Sequence, residues 1–275
     1  MKKYTPLLLL VLLTTFGFAQ KKDKIKGSKK VITELKTIGT FSSIEINDNL
    51  EISLEKGETP SIKIEADDNL HDVISLDLRD GVLRLFTSKE IIKYKKLTLK
   101  VTYTNDLTTI IAKDQSIVNA IQEIQSNGVT IRSFGSSKLF LNVNVKDFEL
   151  QSEDKSKIEL NLKSESAKII LSNDAALKSL ISTVDLTSDL YQDASANIEG
   201  NATKATIRLD NDSKFTGKKL TIKNLDLITE IKAECSVNAE NNISIAASGK
   251  SEIELYGSPK IDMRKFTDEV KLLKK

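Results

Sequence analysis

One cysteine in 275 residues cannot form an internal disulfide, so the fold must be held by its own core. That residue, Cys235, stands where comparable segments carry Ser or Ala and reads as a buried space-filler rather than a reactive thiol. A single histidine, His71, in a polar turn-like stretch, is expected on an exposed loop and gives a histidine metal centre or a serine triad little to work with. Tryptophan is absent and tyrosines number five, a weak supply of aromatic faces for stacking sugars. There is no phosphate-cradling glycine loop and no dinucleotide fingerprint. Nor is one sign of charge in excess: setting aside Lys2 and Lys3, the 41 basic residues become 39, equal to the 39 acidic ones. Nucleic-acid binding, which rests on a basic excess, is therefore excluded, and the run Lys21, Lys22, Lys24, Lys26, Lys29, Lys30 reads as a solvated leader.

Long hydrophobic runs are also missing. The single uninterrupted one, from Leu7 to Leu13, is too short to span a membrane. With Lys2 and Lys3 before it and Gly17 and Ala19 after it, the pattern predicts a signal peptide over residues 1–19, cleaved to leave Gln20 first. No cysteine follows that cut, so no lipoprotein anchor is indicated, and no integral membrane segment is expected after cleavage. The sequence divides into this signal peptide, a polar leader over 20–40, a β-rich domain over 41–262 and a charged C-terminal cap over 263–275.

What the chain does contain is a repeat between Ile110 and Leu255. Eight short segments align in columns two residues apart, the period of a strand facing one way. The first column is Ile110, Ile131, Leu150, Ile169, Leu190, Ile207, Thr229, Ile245, and the last is Val118, Leu139, Ile158, Leu177, Ile198, Phe215, Val237, Ile253. Two residues before the last column lies a small row: Ser116, Ser137, Ser156, Ala175, Ala196, Ser213, Cys235, Ser251. Two further back come bend-tolerant residues, Asp114, Gly135, Asp154, Asn173, Ala194, Asn211, Ala233, Gly249. Intervening residues such as Lys155, Lys157, Asp212, Lys214, Lys250 and Glu252 are polar and expected to face water. A period of roughly 16–22 residues without a helix or a leucine-rich consensus predicts a β-solenoid, each turn stacked on the last about 4.8 Å away. One turn cannot bury its apolar side alone, so the stack is the unit of stability.

Between residues 41 and 103 a second alternating tract (Ile44 and Ile46, Ile52 and Leu54, Ile62 and Ile64, Leu76 and Leu78, Leu83 and Leu85, then Leu97 to Tyr103) predicts more strands, with turns at Gly57–Pro60 and Asp80–Gly81. Asp68 to Val73 fits one short helical turn. This tract either begins the solenoid or caps it. Residues from Met263 to Lys275 carry few strand signals and read as a cap or short helix.

Several of these stretches carry a family resemblance. The phrase Phe41-Ser-Ser-Ile44, the extended Ile52 to Leu54, the segment Ile62 to Leu70 and the run Asp80 to Leu85 resemble the N-terminal half of the putative autotransporter adhesin head GIN domain family. Leu97-Thr-Leu-Lys-Val-Thr, with Leu107 and the Asp114-Gln-Ser116 corner, resembles the join to its repeats. The resemblance spans roughly Phe41 to Ile261. It implies an all-β, right-handed parallel β-helix (β-solenoid), with an N-terminal β-rich tract and a short C-terminal cap, exported to a Gram-negative envelope. The chain departs from the family at the corners, where Gly-Ser-Gly is favoured but only Gly135 and Gly249 keep the first glycine.

Function is read less sharply. Polysaccharide-active β-helices need clustered carboxylates, and in the bend column Asp154 lies between Gly135 and Asn173, so no carboxylate ladder is encoded there. Asp174, Asp193 and Asp212 are the residues that adjacent turns would bring together. Like charges about 4.8 Å apart in water cost only roughly 1 kcal/mol, which neighbouring lysines offset without a metal. No residue is assigned to catalysis, to a cofactor or to a metal. The reading is an exported non-enzymatic solenoid for adhesion, binding or scaffolding, with a surface protein or glycan as partner, in the periplasm, the outer envelope or outside the cell. The alternatives are a polysaccharide-active enzyme and an envelope accessory or sensor protein.

Overall fold

The computed structural model of the protein describes residues 22–275, and the expected signal peptide lies outside them. The described chain winds into a parallel β-solenoid of about 9 turns, nearly all of it strand. Its N-terminal part comprises β1 (Lys24–Lys26), β2 (Val31–Thr37), β3 (Ser43–Ile46), β4 (Glu51–Lys56), β5 (Ser61–Asp67), a 3-10 turn at Asp68–Val73, β6 (Ile74–Arg79), β7 (Val82–Thr87), β8 (Glu90–Ile92) and β9 (Leu97–Tyr103). The stack continues through β10 (Thr109–Ala112), β11 (Ile117–Ser133), β12 (Lys138–Ser152), β13 (Lys157–Leu171), β14 (Ala176–Leu190), β15 (Ser195–Leu209), β16 (Lys214–Thr229) and β17 (Glu234–Ala247). It ends with β18 (Glu252–Tyr256), β19 (Lys260–Phe266) and β20 (Lys271–Lys274).

The long strands β12, β13 and β14 each serve two faces of the coil, because the alternation of inward and outward residues breaks once in each. In β12, Leu139, Leu141, Val143 and Val145 are buried, Lys146 and Asp147 both face out, and Phe148, Leu150 and Ser152 are buried again. Two consecutive outward residues turn the chain without ending the strand. The opposite corner is tight. At Glu153-Asp154-Lys155 the backbone enters the left-handed region (Asp154 φ 60°), and the same conformation recurs at Asp48, Asp114, Gly135, Asn173, Gln192, Asn211, Ile231, Gly249 and Asp268. Side chains then close the corner across turns. The carboxylate of Asp154 accepts the Gly135 amide at 2.9 Å, Asp114 that of Asp48 at 2.8 Å, Gln192 Oε1 that of Asn173 at 3.0 Å, and Asp268 that of Gly249 at 3.0 Å. At these corners Asp and Gln supply the acceptor as well as making the bend, while Asn173 makes the bend and donates, its side chain to Asp154.

Turn spacing through the middle of the stack is 19 residues. Ile131, Leu150 and Ile169 stack in register, as do Leu139, Ile158 and Leu177. Two of the eight expected alignments are displaced by two residues. The true successors are Ser188 and Ala196 in β14 and β15, where Leu190 and Ile198 were expected, and Leu227 and Cys235 in β16 and β17, where Thr229 and Val237 were expected. The small row therefore runs Ser156, Ala175, Ala194, Ser213, Ala233, Ser251, with Ala196 one column further on. A shift of two preserves parity, so the displaced residues still point inward, whereas a shift of one would have turned them to solvent. Cys235 is buried as expected, and burial together with the charge of Glu254 pushes its thiol up to about 12.

Corner geometry also isolates one poorly suited residue. Ile231 adopts φ 65° and is half exposed. A β-branched side chain in this conformation costs about 1–2 kcal/mol, and an exposed one offers little burial in return. Replacement by glycine is expected to raise unfolding free energy by about 1 kcal/mol, read as a higher midpoint in denaturant.

Both roles expected for the N-terminal tract are filled. β3 stacks under β10 and over β7, and β4 stacks between β11 and β9, all parallel, so these strands are the first coils. The direction then reverses: β6 runs antiparallel to β7, β5 to β9, and β2 to β5. Within the leader, β1 pairs with β8 and β2 with β5, so part of it is strand, while the lysines from Lys22 to Lys30 stay exposed as expected. The C-terminal residues also differ from expectation. Instead of a helix or a separate cap they make a last coil, β19 on β17 and β20 on β18. Asp68–Val73 is the expected short helical turn, but His71 in it is buried. Leu70 and Val73 on the same turn drop into the core and carry the imidazole down with them. Its Nδ1 lies 3.3 Å from Glu34 Oε2 but is misaligned for a hydrogen bond, and Nε2 lies 3.4 Å from the Ala66 carbonyl.

Candidate functional site

On the outer surface of the coils, strand register sets outward side chains side by side in rows along the solenoid axis. One row runs Asn119, Phe140, Glu159, Lys178, Asn197, Thr216, and the next runs Asn142, Asn161, Leu180, Glu199. Phe140, Glu159, Lys178 and Asn197 of the first row and all four residues of the second line a trough of about 530 Å³ with Ala120 at one end and Asn197 and Glu199 at the other. A second hollow of about 440 Å³ shares Asn142, Asn161 and Leu180 with it and extends to Glu123, Lys163 and Asn201.

Two apolar residues interrupt these polar rows. Phe140 is 40 % exposed and Leu180 is 56 % exposed. Both point outward by parity, since their neighbours Leu139, Leu141 and Ile181 are buried. Around them the groups that can hydrogen-bond are mostly uncharged. Asn161 Nδ2 donates to Asn142 Oδ1 at 2.7 Å, and Ser182 Oγ to Asn201 Oδ1 at 3.2 Å. Glu199 is engaged by Lys219 at 3.1 Å. Glu123 accepts from Gln125 at 2.6 Å and from Asn144 at 3.2 Å, and these bonds hold its carboxyl below the usual range. Elsewhere lateral pairs across turns tie down the surface charge, among them Lys168–Glu149, Lys214–Glu234 and Lys271–Glu252. The trough is the place where an aromatic edge, an aliphatic side chain and several amides face solvent together. Such a surface binds by contact and amide hydrogen bonding.

The carboxylates that the sequence brought forward gather at a different place, the tight corner. Asp174, Asp193 and Asp212 occupy equivalent exposed positions of successive turns, and the next such residue, Lys232, pairs with Asp212 at 3.8 Å. Among the described residues no group of three or more His, Cys, Asp or Glu is placed to hold a metal ion. His71 lies in the N-terminal cap, on a different part of the chain from the trough. Sequence reading had passed over Phe140 and Leu180. Their signal was present as apolar residues at outward parity, hidden by apolar neighbours on both sides.

Fold and surface together define a parallel β-solenoid with a shallow external trough. The putative auto-transporter adhesin, head GIN domain family matches residues 40–178 and 159–259, and the chain belongs to it. A putative adhesin from Parabacteroides merdae ATCC 43184 superposes with TM-score 0.70 at 17 % identity, over 92 % of this chain and 99 % of that one. A putative lipid binding protein from Parabacteroides distasonis ATCC 8503 gives 0.63 at 13 %, over 92 % and 97 %. A putative adhesin from the same organism gives 0.56 at 16 %, over 91 % and 99 %. At these identities the likeness is one of fold. No curated protein matches the sequence. Among the described residues no helix is long and apolar enough to cross a membrane.

Proposed function

We propose that the protein is an exported, non-enzymatic binding module of the bacterial envelope that holds a surface protein or glycan along the trough between Ala120 and Glu199. The exposed pair Phe140 and Leu180, set among the amides of Asn142, Asn161 and Asn197 with Glu159, Lys178 and Glu199 beside them, carries this reading. Family membership and the similar structures described as putative adhesins support it. The rows run along the axis, so an extended ligand lying parallel to the solenoid meets equivalent groups turn after turn.

A screen of the purified protein against immobilised glycans and matrix proteins, with and without EDTA, tests the reading. Binding without turnover is expected, and Phe140→Ser and Leu180→Ser are each expected to weaken it about tenfold or more while leaving the thermal midpoint in place. Soluble product released from any glycan would overturn the non-enzymatic assignment. Capture by neutral lipid vesicles alone would shift the ligand class towards that of the similar structure described as lipid-binding.

A further inference from the structure

The two ends of the solenoid are finished differently. At the N-terminal end the core is sealed: Leu70, Val73, Ile74 and Ile91 are all buried beneath the reversed strands and the 3-10 turn. At the other end β19 and β20 each pair on one side only, with β17 and β18, so among the described residues their outer edges carry no strand. Ile261 and Met263 stack on Ile243 and Ile245, and Phe266 on Ala247, all three buried core positions. They are therefore inward residues of the last coil, yet they are 41–43 % exposed because among the described residues nothing stacks over them. Open edges with an apolar column between them are the feature that recruits further strands. Lys274 guards one corner by donating to the carbonyls of Gly257 and Lys275, which confines the apolar patch largely to the β19 side.

We propose that this end pairs tail to tail with the same end of a second copy of the chain. The occupant must present two strand edges separated by the thickness of one coil with an apolar column between them, and an identical end turned about a two-fold axis does so, edge to edge and core to core. The opposite end is finished by reversed strands over a covered core, but the edge of β2, which among the described residues pairs only with β5, carries the exposed Leu35 and Ile32, so Leu35→Asp separates tail-to-tail pairing from a head-to-tail array. Charge opposes the approach only in part: Arg264, Lys271 and Lys275 are paired with Asp226, Glu252 and Glu254 of earlier turns and Glu269 with Lys250, while Lys260, Lys265 and Lys274 add positive charge at the edge and weaken the association. The patch is small beside the roughly 800 Å² per partner of a standard stable interface, so association is weak, micromolar or above.

Sedimentation equilibrium on the 275-residue chain from micromolar to millimolar concentration tests this. Mass is expected to rise towards twice the monomer value. Met263→Asp combined with Phe266→Asp is expected to abolish the rise, while Leu35→Asp at the opposite end leaves it intact. Hydrogen exchange on the unmutated protein guards against a variant that fails to fold: amides of Lys260–Phe266 are expected to slow as concentration increases. A monomer throughout, amides whose exchange ignores concentration, or a dimer that survives the end substitutions would each overturn the proposal.

Discussion

Asp67→Ala is expected to lower the unfolding free energy by about 3–5 kcal/mol. Asp67 is a fully buried carboxylate at the end of β5. Its oxygens accept the backbone amides of Lys29 at 2.8 Å, Lys95 at 3.1 Å and Lys96 at 3.0 Å. It therefore joins three segments distant in sequence: the approach to β2, the loop into β9, and β5 itself. Gly27 packs so closely on it that a Cβ there would stand 2.2 Å from Oδ2. Alanine removes the charge but leaves three inward-aimed amides without an acceptor, and each unpaired buried donor costs about 1–3 kcal/mol. Denaturant unfolding at neutral pH measures the loss. A cost under about 1 kcal/mol would mean that water reaches those amides and the cap is looser than described.

The same carboxylate sets an acid limit. Burial alone would raise its titration point, but hydrogen bonds from the Lys29, Lys95 and Lys96 amides, with the charge of Lys29, outweigh that and hold it below the ordinary aspartate value. A group depressed in the folded state gives its full stabilisation above its unfolded value, near 3.9, and loses it as pH falls through the folded value. Unfolding free energy is thus expected to drop on acidification below about pH 4. Asp67→Ala should show a shallower drop over that range, so the two proteins converge in acid. A parallel offset at every pH would place the acid sensitivity elsewhere.

Alternation of side chains made most of this fold legible. A period of two with a recurring small residue forces stacked strands, and Ile131, Leu150 and Ile169 lie where that logic puts them. The displaced columns at Ser188 and Leu227 show its limit. Leu190 and Thr229 have the same parity as the true partners, so only spacing could separate them; at β14 the regular 19-residue step falls on polar Ser188 beside an apolar Leu190, and at β16 the step itself changes to 20 and then 18 residues. The leader was misread in part, for a different reason. Its lysines say solvent, while the strand character of Val31–Thr37 depends on pairing with β5, a contact made from the far side of a loop. The trough was the least legible feature. A binding surface of this kind has no motif, only Phe140 and Leu180 on the wrong side of an otherwise regular pattern.

Gly200→Ala tests how tightly neighbouring coils are fitted beside that trough, and it is expected to cost about 3 kcal/mol or more. Gly200 lies in β15 with φ 115°, outside the left-handed region that Asp or Asn tolerates, so any side chain is strained there before contacts are considered. Contacts make it worse. A Cβ would stand 2.0 Å from the carbonyl oxygen of Ile181 and 3.0 Å from its carbon, and these are backbone atoms of the adjoining coil that have no rotamer to yield. The register between β15 and β16 slips between Asn197 and Gly200, which places this glycine where the turn of chain takes up an irregularity. Relief would require β15 to move away from β14, opening ladder bonds beside the paired Leu180 and Glu199. Ligand binding in the trough should weaken together with stability in Gly200→Ala, whereas Ile231→Gly, at the tight corner, should raise stability and leave binding alone. If Gly200→Ala proved neutral in denaturant, the close approach of these two coils would be refuted.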